Sequence, residues 1–182
     1  MGRLTLNPLR HLDPTGTLLL VFVGFGWGKP TPVNPNRLRN GPRAGMALVS
    51  IAGPISNFLM AAVFALPLKF RVFTFSEFIP LQNWSFSNYL ALICFYVVII
   101  NVLLGLFNLI PLAPLDGSKI AIGILPAEMG DFFRRIEPYG IGILMVIFAL
   151  SWFSPQFNII GRLISPLEVR ILRVLLGSSA VG

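Results

Sequence analysis

Residues 44–68 and 88–110 are two long, nearly unbroken apolar runs, each long enough to cross a bilayer, for which about 20 apolar residues suffice. Residues 139–153, from Tyr139 to Phe153, make a shorter run that reads as a third span extended at one end. Residues 159–176 mix Ile, Leu and Val with Arg162, Arg170 and Arg173, the pattern of an amphipathic helix lying in the interface. Leu18–Val23 is apolar but too short to span and ends in Gly24, Gly26 and Gly28, so residues 17–28 read as re-entrant or interfacial. A signal-peptide core is the alternative there, with Arg3 and Arg10 before it and Gly24-Phe25-Gly26 as a small-x-small site, although Asp13 and Pro14 interrupt the approach. Pro8 and Pro14 forbid a regular helix in residues 1–16, and Pro30, Pro32 and Pro35 force an extended path through residues 29–43. Residues 3–7 and 30–35 together predict a small sheet or paired extended segments. The pattern predicts an all-α, multi-span membrane protein with a small extended or β segment near the N-terminus, one membrane-embedded domain over residues 1–182.

Within the first span Gly53-Pro54 predicts a kink, and Ala52 and Ser56 are small residues four apart that let helices approach closely. Asn57, Asn101 and Asn108 are polar at membrane depth and should face protein or a cavity. Residues 69–87 form a loop whose Trp84 suits the interfacial belt.

Composition agrees with a bilayer as solvent. Only 12% of residues are charged, against about 25% in ordinary soluble domains, and the mean hydropathy is +0.79. The net charge of +7 sits between apolar runs, at Arg37, Arg39 and Arg43 and again at Arg134 and Arg135, where topology-setting and lipid-facing charges lie. No basic stripe interleaved with stacking aromatics occurs, which excludes nucleic acid as a partner. The cluster before residue 44 favours a cytoplasmic start for the first span, with residues 117–138 on the same side; Lys69 and Arg71 oppose this mildly. The lone Cys94 makes no intrachain disulfide and reads as a packing residue.

The chemistry lies in Asn108-Leu109-Ile110-Pro111-Leu112-Ala113-Pro114-Leu115-Asp116-Gly117. Two prolines end an apolar span, and a carboxylate and a glycine follow. Broken backbone at membrane depth is tolerated only where protein buries it or a wet cavity borders it, and a carboxylate there is a functional-site signal. Two readings stand side by side: Asp116 caps a helix that starts at Gly117, or it binds a metal cation.

This stretch resembles the Asn-x-x-Pro-x-x-Pro-Leu-Asp-Gly motif of the site-2 protease family of intramembrane zinc metalloproteases. Gly2–Pro8 with His11–Pro14, Gly26–Pro30 with Pro32–Pro35, and Ala52-Gly53-Pro54-Ile55-Ser56-Asn57 are similar to that family's other segments, in the same order. The resemblance covers most of residues 1–126. It implies one zinc ion held by two histidines of a His-Glu-x-x-His helix and by an aspartate that maps to Asp116. The glutamate of that helix acts as general base on the zinc-bound water. It further implies a transmembrane protein substrate, cut in or beside its membrane helix, and a multi-pass position in a bacterial-type plasma membrane. Asn108 matches the motif asparagine, with a substrate or oxyanion contact set against an interhelical hydrogen bond.

The chain departs from the family in one decisive respect. His11 is its one histidine, so it contains no His-Glu-x-x-His, and by itself it is not expected to cleave. His11, between Arg10 and Asp13 in a turn-rich segment, reads as structural. Lys119 reads as a snorkelling lysine and Asn57 as packing glue. The expectation is an N-terminally truncated site-2-type protease; a non-catalytic relative that binds partner helices is the alternative, and a small transporter or channel subunit a third. An exposed extended edge at residues 3–7 and 30–35 would hold an unwound substrate strand by main-chain hydrogen bonds.

Overall fold

The computed structural model describes residues 13–14, 16–17, 28, 33–73 and 84–177, without the side chain of residue 155. The chain divides into two units, Met1–Arg37 and Leu38–Gly182. In the first, Asp13 closes a turn: its carboxylate accepts from the Gly16 amide at 2.9 Å and its carbonyl from the Thr17 hydroxyl at 2.7 Å. The expectations for residues 1–12, His11 included, for nearly all of 17–32, and hence for the paired edge at 3–7 and 30–35, lie outside the described residues. No sheet occurs among those described. The proline-driven extended path ends earlier than the sequence predicts, because Pro35–Arg37 closes a 3-10 turn. The Asn34 side chain accepts from the Asn36 amide at 3.1 Å, and proline tolerates the first position of such a turn.

The second unit is helical. The first helix, α1, spans Gly41–Lys69 and carries a proline in its first turn, where no amide is missed. Gly41 has φ of +78°, the left-handed region that glycine enters without a Cβ penalty. Its buried residues Ala47, Ser50, Pro54, Ala61 and Ala65 recur at steps of three, four and seven, one face of a helix. The second helix, α2, spans Phe86–Asn108 and buries Ala91, Cys94, Val98, Val102 and Gly105 on an equivalent stripe. Its start is fixed by a capping box in which the Asn88 side chain accepts from the Ser85 amide at 2.8 Å and the Ser85 hydroxyl at 2.6 Å.

Ala47, Ser50, Ala61 and Ala65 of α1 and Ala91 and Gly105 of α2 face inward, whereas Ala52 and Ser56, the pair expected to let helices approach, lie on the exposed face with Leu48, Ile55, Leu59, Met60, Val63, Ile93 and Ile100. A soluble protein would invert this arrangement. In a bilayer apolar exposure costs nothing, and close packing of small residues is what joins helices. At 1.5 Å per residue α1 and α2 are about 44 Å and 35 Å long, against roughly 30 Å of hydrocarbon.

The short helix α3, Asp116–Ile124, follows a loop and leads through Pro126 into α4, Ala127–Ile136. A 3-10 turn over Glu137–Tyr139 joins α4 to α5, Gly140–Phe153. Three described stretches have the length and apolar character to cross a membrane: Gly41–Lys69, Phe86–Asn108 and Ala127–Phe153. The third begins well before the sequence-predicted 139. The fold is therefore the expected all-α multi-span arrangement, and the chain is an integral membrane protein whose surroundings are lipid.

The last helix, α6, spans Ile159–Leu176, and its start is capped by the Asn158 side chain, which accepts from the Gly161 amide at 2.9 Å. The three arginines give it an amphipathic sequence; Ile164, Leu172 and Leu176 are buried, while Ile159, Leu163, Leu167 and Val174 stay exposed. Ile164, Leu172 and Leu176 share one core cluster with Ala61 and Ala65 of α1 and Val98, Val102 and Leu106 of α2. Lys69, at the end of α1, donates to the Val174 carbonyl at 3.1 Å, tying the C-terminal ends of α1 and α6 together.

Candidate functional site

Leu109–Leu115 breaks the chain between α2 and α3. Pro111 interrupts the helix, and Ala113-Pro114 is a cis peptide. Three glycines let neighbouring backbone close on this loop. A Cβ on Gly117 would collide with the Leu109 and Ile110 carbonyls, so the start of α3 folds directly onto the end of α2. A Cβ on Gly140 would collide with the Ala113 carbonyl, which brings the start of α5 against the loop from the other side. A Cβ on Gly53 would lie 2.8 Å from Oδ2 of Asp116, so the carboxylate rests against the bare backbone of α1 at its Gly53-Pro54 step. Pro54 is buried there and withholds the amide that would bond the Ser50 carbonyl.

Asp116 is the first residue of α3, one position inside the helix that the sequence reading would have had it cap. The N-cap is Leu115, whose carbonyl accepts from the Ser118 hydroxyl at 2.9 Å. A carboxylate in the first turn is favoured by the helix dipole. Its depth is the telling feature. Gly53 lies twelve residues into α1, about 18 Å from the helix start and about 24 Å from its end, so Asp116 sits near mid-span. No hydrogen bond or ion pair to its carboxylate occurs among the described residues; the ion pair there joins Arg134 to Asp131 at 2.8 Å, on the surface. An ionised carboxylate at that depth requires a cation, a proton or water.

Asn108 is the last residue of α2, and its amide nitrogen donates to the Leu104 carbonyl of its own helix at 2.9 Å. Asn101 does the same to Val97 at 2.8 Å. Neither bond crosses between helices, in contrast to the glue role that membrane asparagines often take. The Asn108 carbonyl oxygen and second N–H have no partner among the described residues.

Zinc accepts carboxylate oxygen, and Asp116 is a fit ligand for it. A catalytic zinc takes three protein ligands, and no group of three His, Cys, Asp or Glu side chains converges among the described residues. The described chain thus offers one suitable donor and does not complete a centre.

Two parts of the site escaped the sequence reading. Gly140 has no local signal, since its partner is 27 positions away in a turn. Arg43, read as a topology charge, instead reaches α3: its Nε donates to the Ile122 carbonyl at 2.6 Å and its Nη2 to the Leu125 carbonyl.

Fold and site together define a class: a multi-span helical membrane protein with a carboxylate set beside the middle of its first span, just after a broken stretch of backbone. Residues 72–151, which include Asn108 and Asp116, match the model of Peptidase family M50, the site-2 protease family, so the segment from α2 through most of α5 belongs to that family. A Bacillus subtilis protein, YwhC, whose name assigns it provisionally to the zinc metalloproteases, is 40% identical over 151 residues, covering 81% of this chain and 65% of its own. The zinc metalloprotease MJ0392 of Methanocaldococcus jannaschii is 28% identical over 124 residues, 68% of this chain and 33% of its own. The chain thus spans less than two thirds of the curated relatives it matches. No solved structure matches it.

Proposed function

We propose that this chain is the carboxylate-bearing part of an intramembrane zinc protease that hydrolyses a peptide bond in or beside a substrate's transmembrane helix, in a bacterial-type plasma membrane. The observation that carries the reading is the Asp116 carboxylate, held against Gly53 near mid-span without a protein partner among the described residues. Its surrounding segment matches a zinc peptidase family. In this reading Asp116 is one zinc ligand, and the histidine ligands come from outside these 182 residues, which contain His11 alone.

Bound zinc supplies a Lewis acid and a water activated near neutral pH. The chain's own residues have narrower tasks. Asp116 presents its oxygens on a helix start fixed by Gly117 and Gly53. Asn108, one loop away, keeps a carbonyl oxygen and one N–H for the backbone of an unwound substrate.

The test is zinc content and cleavage of a membrane-helix reporter by the protein isolated from its own membranes, beside its Asp116→Asn variant. One zinc per protein and cleavage, both lost in the variant, is the expected outcome. Stoichiometric zinc that survives Asp116→Asn would remove Asp116 from the centre, and a wild-type protein without zinc or cleavage would favour the non-catalytic relative.

A further inference from the structure

Nine residues make α3 too short to hold its own geometry. Its last carbonyls need donors from elsewhere. Arg43 supplies them from 79 and 82 residues earlier in the chain, Nε to Ile122 at 2.6 Å and Nη2 to Leu125. A guanidinium suits this end twice over, because its planar fork meets two carbonyls at once and its charge complements the negative end of the helix. The slot it occupies is made by small residues. A Cβ on Gly130 of α4 would lie 3.0 Å from Arg43 Nη2, and Gly123 of α3 has room only for hydrogen where it meets Ala47 of α1.

These contacts run in opposite order along the two helices: Arg43 and Ala47 of α1 meet the last turn of α3 and its C-cap, at Ile122, Gly123 and Leu125, and Gly53 meets Asp116 at its start. The helices are therefore antiparallel, with Arg43 and Asp116 at opposite ends of a rod about 13 Å long. The Asp116 end is seated by Gly117 against the Leu109 and Ile110 carbonyls, so releasing the Arg43 end leaves the rod free to tilt and turn about that seat.

We propose that Arg43 is the positioning residue for the Asp116 carboxylate, setting the axial position and rotation of α3 so that the carboxylate meets a metal cation beside Gly53. The proposal rests on the reading of Asp116 as a metal ligand. It gives the N-terminal part of α1, which lies outside the matched family segment, a defined part in the site.

The experiment loads the protein isolated from its own membranes with Co2+ and records affinity and visible absorption for wild type, Arg43→Met, Arg43→Lys, Gly130→Ala and Asp116→Asn. Arg43→Met should lower Co2+ affinity about tenfold, the scale of a lost supporting contact at a metal ligand, and should alter the Co2+ bands. Arg43→Lys, with one ammonium in place of the fork, should recover part of both. Gly130→Ala pushes on the fork without removing charge and raises helix propensity in α4. Its affinity should fall while its thermal midpoint holds or rises, a combination that plain structural damage does not produce. Should Arg43→Met fail to fold, Gly130→Ala and Arg43→Lys decide. Wild-type affinity and spectrum in the folded Arg43 and Gly130 variants, with Co2+ lost in Asp116→Asn, would overturn the positioning role alone. Co2+ retained in Asp116→Asn would overturn the ligand reading and the positioning role with it.

Discussion

The two halves of α1 hold their neighbours in different ways. Before Pro54 the helix faces α3, and the contacts are a guanidinium on two carbonyls, alanine on glycine, and a carboxylate on bare backbone. After Pro54 it faces α2 and α6, and the contacts are apolar: Ala61 and Ala65 lie in one cluster with Val98, Val102, Ile164 and Leu172. Gly105 of α2 leaves space into which the Phe58 ring fits, with a Cβ there only 2.9 Å from it. Polar contacts are directional and few, so they fix a geometry. Apolar contacts are many and forgiving, so they fix a fold. Pro54, which removes one rung of the helix's hydrogen-bond ladder, is the boundary, and the carboxylate lies beside it at Gly53.

The comparison breaks most sharply at Asp116. Asp116→Asn keeps shape and removes charge, and on the proposed reading it should lower reporter cleavage by the protein from its own membranes by more than about a hundredfold, beyond the 10–100-fold typical of residues that only support a ligand. Its thermal midpoint should stay near wild type, since no described contact to the carboxylate is lost. Asn108→Ala comes next. If the free half of its amide meets the substrate backbone, turnover should fall about a hundredfold, as when an oxyanion donor is removed, with KM changed far less. The Leu104 bond that is lost lies within one helix and is worth about 1 kcal/mol. Equal losses in kcat and stability would return Asn108 to a purely structural role.

The two halves also differ in how much the sequence disclosed. The apolar half was legible because one period describes it: the spans at 44–68 and 88–110 follow from run length, and Gly53-Pro54 from proline chemistry. Asp116 was legible because a carboxylate after two prolines at membrane depth is rare. What stayed hidden is what depends on distant partners. Gly140 against Ala113, Gly53 against Asp116 and Arg43 against Leu125 are contacts made by loop closure, and no local period encodes them. In α6, which reads as an interfacial amphipathic helix, the sequence does not say which apolar positions pack inward. Positions 164, 172 and 176 are what join it to the core.

A pair of glycine variants sharpens the contrast with smaller effects. Gly53→Ala puts a methyl 2.8 Å from Asp116 Oδ2, the free end of a side chain that can move. The fold should tolerate it, and cleavage should fall about tenfold, less than the hundredfold that a full ångström of misplacement can cost. Gly117→Ala puts the same methyl into the Leu109 and Ile110 carbonyls, which cannot move without unseating α3. That variant should lose about 1–3 kcal/mol of stability. Thermal midpoint and cleavage, measured on both, should separate them; a stable Gly117→Ala would mean that the end of α2 is looser than this packing requires.

The weakest effect on cleavage belongs to the apolar half. Leu172 of α6 is 7% exposed and sits in the cluster shared with α1 and α2. Leu172→Ala should destabilise the protein by about 2 kcal/mol, the low end of the range for leucine truncation, because lipid rather than water is the alternative surrounding for much of this helix and the transfer contribution shrinks accordingly. The folded fraction should still cleave within about twofold of wild type, since the loss lies beyond Pro54 and none of the contacts to α3 is touched. Thermal unfolding in detergent and cleavage per folded molecule read the two quantities separately. A large loss of cleavage without a loss of stability would mean that the halves of α1 are coupled through Pro54, and that the helix transmits strain to the carboxylate instead of isolating it.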